Sequence, residues 1–415
     1  MKRFKKQISN SLIYTISTII AKAIPFLLLP VFTSYLSKED YGMLGLISSI
    51  LAIASIYIGL RPSLFLIVKG SQFDKNTISI YIYNIFILSS ISLVFVGIIL
   101  IISKYLFFPD ISLYIFVLIA FLAFFSIFNE IVETIFQIEK KAFYYGIYQL
   151  GKTILSVGLA LIFIIVFDMN WEGKYFSDLI VIFLFSIISI YYLYKTGYIK
   201  IKYDLIKQME LIKYLSPLTF HVLGLAMMAS IDRVFLTNML GLEATGLYTV
   251  AYSIGIIIGI VHDSLLKVWS PEFYKRIKNA DIYMRIKLLK FNYLYMFGSV
   301  VLYMIFILVA PFIFSLMIDS KFSESYHIVP IVALGLTFES FRKLFISYFY
   351  NLGKNNLIAI TTLTAGMLNA ILNYILIPQY GLDGAAYATL IAYIIVFLLT
   401  IINLNRIENI PWRLS

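Results

Sequence analysis

The chain has 415 residues, 61% of them hydrophobic and only 13% charged, which sets it apart from soluble domains and among multi-spanning membrane proteins. It has no cysteine, so disulfides, thiolate metal sites and cysteine nucleophiles are excluded, and its three histidines (His221, His262, His327) are too few and too scattered for a metal site. The net charge of +11 raises a nucleic-acid partner, a reading that the placement of the bases argues against.

A helix needs about 20 apolar residues to span the bilayer core. Windows of that length predict about twelve spans, at 11–32, 41–67, 77–103, 113–137, 146–167, 177–195, 214–240, 246–270, 288–316, 328–350, 357–377 and 385–405. The first follows Lys2, Arg3, Lys5 and Lys6, but no small-residue cleavage pattern comes after it, so it is read as a retained helix. With the N-terminus inside, 22 of the 33 Lys and Arg residues fall on inward segments, among them Lys69, Lys75, Lys140, Lys141, Lys354, Arg406 and Arg413. Only four, Lys38, Lys104, Lys174 and Lys321, fall on outward loops. This asymmetry places both termini in the cytoplasm. It also makes the positive charge a matter of topology and of anionic lipid headgroups, with no nucleic-acid partner expected.

The chain carries an internal repeat. FTSYLSKEDYGMLGLISSI at 32–50 aligns without gaps on LTNMLGLEATGLYTVAYSI at 236–254, matching Thr33 with Thr237, Leu36 with Leu240, Glu39 with Glu243, Gly42 with Gly246 and Ser49 with Ser253. The offset is close to half the length and pairs the first span with the seventh. The expected fold is therefore an all-α integral membrane protein of two six-helix bundles related by a pseudo-twofold axis along the membrane normal, a transporter architecture. The boundaries expected are an N-terminal lobe at 1–195, a basic cytoplasmic linker at 196–213, a C-terminal lobe at 214–405 and a cytoplasmic tail at 406–415. The linker is expected to carry an amphipathic helix that lies on the inner leaflet.

Seven bases remain, all inside predicted spans: Lys22, Arg61, Lys152, Arg233, Lys267, Arg342 and Lys343. A charge at a helix centre costs about 2.5–3.5 kcal/mol on insertion scales, and such residues are functional by default. In the first span Ser11, Thr15, Thr18 and Lys22 form one polar stripe, followed by Pro25 and Pro30, which are expected to kink the helix. Arg61 lies in GLRPS near the cytoplasmic end of the second span. In the fourth, Asn129, Glu133 and Gln137 share a face with Glu130 beside it, ready for a basic partner or for water. Lys152 and Lys267 sit near the inner interface and are expected to snorkel.

The seventh span holds Asp232-Arg233 where the first half has Leu28-Leu29, so the architecture does not require the charges. Neighbours in a helix point about 100° apart, so each is expected to find a separate partner or a water-filled cavity. His221, Met228 and Asp232 make one stripe; Ser230, Arg233 and Thr237 make the next. Asp263 with Lys267, and Glu339 with Arg342 and Lys343, are expected local ion pairs. Thr362, Gly366, Asn369 and Asn373 line one face of the eleventh span, as helix–helix contacts or, in Asn369 and Asn373, as oxygen ligands to a hard cation charged by Asp232.

No phosphate-binding GxxxxGK[ST] loop is present, no base–nucleophile pair stands out, and the outward loops are short, so no enzyme is expected. The residues lead to a secondary transporter with a basic cavity suited to an anionic substrate.

PFLLLPVFTSYLSKEDYGMLGL, IDRVFLTNMLGLEATGLYTVAYSI and LNYILIPQYGLDGAAYATLIAYI resemble, in order and spacing, the polysaccharide-biosynthesis branch of the multidrug/oligosaccharidyl-lipid/polysaccharide exporter superfamily, closest in character to Wzx-type flippases of O-antigen or capsule repeat units. The resemblance covers essentially the whole chain. It implies twelve or fourteen helices in two V-shaped lobes, alternating access, and transfer of a polyprenyl-diphosphate-linked oligosaccharide from the inner to the outer leaflet of a bacterial cytoplasmic membrane. It implies cationic partners for the diphosphate, for which Lys22, Arg61 and Arg233 are the candidates. The related lipid II flippases hold sodium with a set that Asp232, Asn369, Asn373 and Thr389 resemble. Asn373 stands where that pattern has an acid, which weakens a sodium site and leaves proton coupling through Asp232, or the membrane potential, as alternatives. No cofactor is implied. A polysaccharide polymerase and a chain-length regulator are implied partners. The runners-up are a multidrug and toxin exporter, whose cationic drugs favour an acidic cavity, and a lipid II flippase.

Overall fold

A computed structural model describes residues 2–70, 72–278 and 281–408, with side chains from Ile13 onward except Asn355. The side chains of Lys2, Arg3, Lys5, Lys6 and Ser11, and the whole of Arg413, lie outside the described residues.

The first span is α1 (Lys2–Leu27) and α2 (Leu29–Tyr35), parted at Leu28, as Pro25 and Pro30 suggested. Pro30 sits in the first turn of α2, where its missing N–H leaves no orphan bond. The predicted span 41–67 is two helices, α3 (Lys38–Gly59) and α4 (Pro62–Lys69). Ser37 and Asp40 start α3 with a reciprocal capping box, at 3.1 and 2.8 Å. Pro62 disfavours the α conformation at Arg61, and Leu60 and Arg61 both turn left-handed, at φ 54° and 48°. There follow α5 (Lys75–Phe107), α6 (Leu113–Ile138), α7 (Ala142–Leu161), a π turn at Ile162–Val166, and α8 (Asn170–Lys195). The second half holds α9 (Leu205–Leu240), α10 (Leu242–Ile277), α11 (Ile282–Met317), a 3-10 segment at Ser320–His327, α12 (Ile328–Asn351) and α13 (Asn355–Ile407). α13 is two spans joined at Gly381, whose φ of 59° and ψ of −131° break the helix just after Pro378.

Among the described residues, ten helices are long and apolar enough to cross a membrane. Dividing α13 at Gly381 adds one, and α12, which carries Glu339, Arg342 and Lys343, adds another. The twelve expected spans are thus all helices among the described residues. Helical periodicity leaves broad apolar faces outward, as at Phe95 on α5 and Leu308 on α11, 66% and 80% exposed, the pattern of a lipid-facing surface.

The repeat is visible bond by bond. The Thr33 hydroxyl donates to the Leu29 carbonyl, and Thr237 to that of Arg233, both at 2.8 Å. Ser49 donates to Gly45, and Ser253 to Thr249, again both at 2.8 Å. The helices that follow begin at Lys38 and Leu242, the same offset. The repeats diverge at Leu60-Arg61, whose counterparts lie inside the unbroken α10.

The chain packs into two units, 1–219 and 220–415. In unit 1, α6 is central, with Ile119, Ala123, Ile131 and Ile135 fully buried against α3, α5 and α8. In unit 2, α12 packs on α10 and α13, around Phe345, Val332 and Ala392. Gly224 of α9 meets α13 so closely that an added Cβ would lie 2.5 Å from the Thr362 carbonyl oxygen, and one on Gly366 would lie 2.9 Å from the Met227 Cβ. Small residues permit this approach. Gly224→Ala is expected to force the helices apart and lower stability by about 1–3 kcal/mol, read as the melting temperature in a fixed detergent; an unchanged melting temperature overturns the close-packing account.

The linker differs from the expected surface tether. Residues 196–204 are non-helical, and α9 begins only at Leu205. The segment is clipped to unit 1: Tyr198 donates to Glu139 at 2.8 Å, Lys200 to Asn76 at 2.7 Å, and Tyr81 to Glu210 at 2.5 Å. Burial pushes the Glu139 carboxyl up, but hydrogen bonds from Lys141 and Tyr198 outweigh it and hold the group below its usual range. A depressed carboxyl contributes stability above its unfolded value, lost as pH falls through the lowered one, so the clip holds at neutral pH. Glu139→Gln is expected to speed proteolysis within 196–204 severalfold at pH 7; an unchanged cleavage rate overturns the role of Glu139.

Candidate functional site

In unit 1, the left-handed turn at Leu60-Arg61 directs Arg61 into a cavity of about 550 Å³ between α3, α6 and α7. Four charged residues line it, Arg61, Glu130, Glu133 and Lys152, with equal numbers of each sign. Six more linings are hydroxyl or amide side chains, among them Asn129 and Gln137. The predicted face of the fourth span is thus the wall of a polar cavity. Lys152 does not snorkel: its Nζ lies 2.6 Å from Glu133 Oε1. Glu130 accepts the Ser63 hydroxyl and, at 3.4 Å, its backbone N–H. The Arg61 Nε is buried without a hydrogen-bond partner. In the cavity wall, Asn129 is held by Tyr148 and Ser186, its amide 3.2 Å from the Ser186 hydroxyl. Two left-handed non-glycine residues in succession hold about 1–3 kcal/mol of strain each, which the surroundings must offset.

Lys22 of α1 is exposed and has no side-chain partner among the described residues. Thr18 of the same stripe is half-buried, its hydroxyl 3.3 Å from Gln149 Oε1, whereas Thr15 is exposed.

In unit 2, Asp232 and Arg233 are buried, 0% and 8% exposed, and they do pair with each other, contrary to expectation. Arg233 Nη1 reaches back to Asp232 Oδ1 at 3.2 Å and to the Ala229 carbonyl at 2.7 Å. Its long stem bends round the helix, so the angle between the Cα–Cβ bonds does not prevent contact. The guanidinium lies 4.3 Å from the Tyr252 ring centroid and 5.6 Å from that of Tyr248. Periodicity did not single out these tyrosines, although Tyr248 ends the EATGLY stretch of the second repeat and Tyr252 stands one turn on.

Asn369, Asn373 and Thr389 come together. The Asn369 amide donates to Thr389 Oγ1 at 3.1 Å, and that of Asn373 to Asn369 Oδ1 at 3.1 Å. The Asn373 Oδ1 has no hydrogen-bond partner. Asp232 shares no hydrogen bond with the three. A hard cation wants net negative charge and several oxygens. The carboxylate here is matched by Arg233, so the set fits sodium poorly. Among the described residues no group of three His, Cys, Asp or Glu is placed to hold a metal.

The other expected ion pairs partly re-sort. Glu339 grips Arg342 through two bonds of 2.5 Å, with side chains 7% and 3% exposed. Lys343 instead pairs with Asp263 of α10 at 2.7 Å, leaving Lys267 exposed. His221 Nδ1 lies 3.0 Å from the Thr362 hydroxyl.

The model of a family described as polysaccharide biosynthesis protein matches residues 8–277. A capsular polysaccharide biosynthesis protein, CapF, of Staphylococcus aureus is 25% identical over 390 residues, 89% of this chain and 92% of that protein. An inward-facing multidrug resistance MATE family transporter of the MOP superfamily aligns with a TM-score of 0.69 at 17% identity, over 93% of this chain and 95% of the other. Lipid II flippase MurJ, in an inward closed conformation, aligns with a TM-score of 0.65 at 14% identity, over 95% and 87%. At these identities the two structures establish a shared fold and nothing of substrate.

Proposed function

Because this chain belongs to the polysaccharide biosynthesis protein family, we propose that it carries a polyprenyl-diphosphate-linked oligosaccharide from the cytoplasmic to the outer leaflet of a bacterial inner membrane by alternating access, for O-antigen or capsule assembly. The observation that supports this most is the polar cavity of about 550 Å³ inside a bundle whose outer helices are apolar. A hydrophilic cargo explains such a cavity; a lipid alone does not. Of the three bases expected at the diphosphate, Lys22 is exposed and unpaired and is the foremost candidate. Arg233 is charge-matched by Asp232, which suits it to coupling, with protonation of Asp232 or the membrane potential as the drive. A polymerase and a chain-length regulator are the partners this function calls for. A drug exporter of the same fold is disfavoured, because Arg61 and Lys152 offset both carboxylates of the cavity.

A strain deleted for the gene, fed isotope-labelled sugar, is expected to accumulate complete lipid-linked repeat units on the cytoplasmic leaflet, cleared by the wild-type gene. Lack of accumulation together with retention of cationic dyes overturns the proposal and favours the exporter.

A further inference from the structure

We propose that the cavity of unit 1 is a glycan subsite, in which Arg61 and Glu130 hold sugar hydroxyls and the diphosphate lies elsewhere; this rests on the flippase function proposed above. Among the described residues, Arg61 and Glu130 are the two charged linings without an ionic partner, since Glu133 takes Lys152 at 2.6 Å. The cavity therefore offers one strong donor with a buried, unpaired Nε and one carboxylate acceptor. Sugar hydroxyls donate and accept, so they satisfy both at once. A diphosphate cannot donate to Glu130, and is repelled by both carboxylates as strongly as it is drawn by the two bases. A cationic ligand meets the reverse obstacle at Arg61 and Lys152.

Size and position agree. The volume falls in the range of roughly 300–1,000 Å³ typical of small-molecule sites. The linings stand in the second halves of α3 and α6, at Arg61 and on α4, and midway along α7 and α8, so the cavity reaches from mid-span toward the face where a cytoplasmic substrate enters under the positive-inside orientation. The strained turn that presents Arg61 is absent from the second repeat, which marks it as an addition to the shared scaffold.

The test is binding to purified full-length protein in nanodiscs, with farnesyl diphosphate and farnesyl diphosphate carrying one N-acetylglucosamine as probes. Wild type is expected to bind the glycosylated probe at least tenfold more tightly. Glu130→Gln is expected to erase that preference while leaving the affinity for farnesyl diphosphate within about twofold. Ser55→Leu, which fills the cavity and removes no ionic partner, is expected to do the same and keeps the test open if the glutamine variant does not fold. Equal loss of both probes in these variants, or no preference in wild type, overturns the glycan subsite alone. Failure of wild type to bind either probe overturns the flippase function, and the subsite with it.

Discussion

Arg342→Met is expected to destabilise the protein by about 3–5 kcal/mol, and the double variant Glu339→Leu/Arg342→Met to recover most of that loss. The pair is nearly sealed, with both side chains under a tenth exposed. In the single variant the Glu339 carboxylate stays inside unit 2 without its two hydrogen bonds, and leaving a buried charge uncompensated is the expensive event. In the double variant no charge remains to be desolvated, and the surroundings on one side, Met228, Ala365, Tyr393 and Val396, accept apolar replacements. The measurement is the unfolding midpoint of the three proteins in one detergent. Equal destabilisation of single and double variants overturns the account, because the loss then comes from packing volume and not from the orphaned charge.

The same residues show what was legible in the sequence. The Glu339–Arg342 spacing puts both on one face a turn apart, and the pair forms as spacing requires. Lys343 and Lys152 go instead to acids on neighbouring helices, Asp263 and Glu133, which no reading along one helix reveals. Hydropathy windows found the twelve spans because lipid-facing apolarity is a property of each segment by itself. They passed over the break at Leu60-Arg61, because a left-handed turn leaves hydropathy unchanged; Pro62 was the available signal. The repeat was legible in Thr, Glu, Gly and Ser, and Thr33 and Thr237 proved to make the same backbone bond. Polar side chains that serve the helix's own carbonyls thus recur with the scaffold, whereas the charged residues of Arg61 and Asp232-Arg233 occur in one half only.

That asymmetry permits a sharper experiment on Asp232-Arg233. Asp232→Leu/Arg233→Leu gives the second repeat the Leu28-Leu29 of the first, and is expected to fold with near-normal stability while flux falls to the level of the deletion strain. Asp232→Leu alone leaves the Arg233 guanidinium buried against Tyr252 with only the Ala229 carbonyl, and is expected to cost about 3–5 kcal/mol. Arg233→Leu alone strands a carboxylate that is 0% exposed. If the pair serves only packing, the double variant transports as wild type does, because one half of the protein already builds this helix from two leucines. If the pair couples the motion, stability and flux separate: the double variant melts like wild type and moves nothing. Membranes concentrate the contrast, since a bilayer-spanning helix gains nothing structural from a charge that its repeat dispenses with.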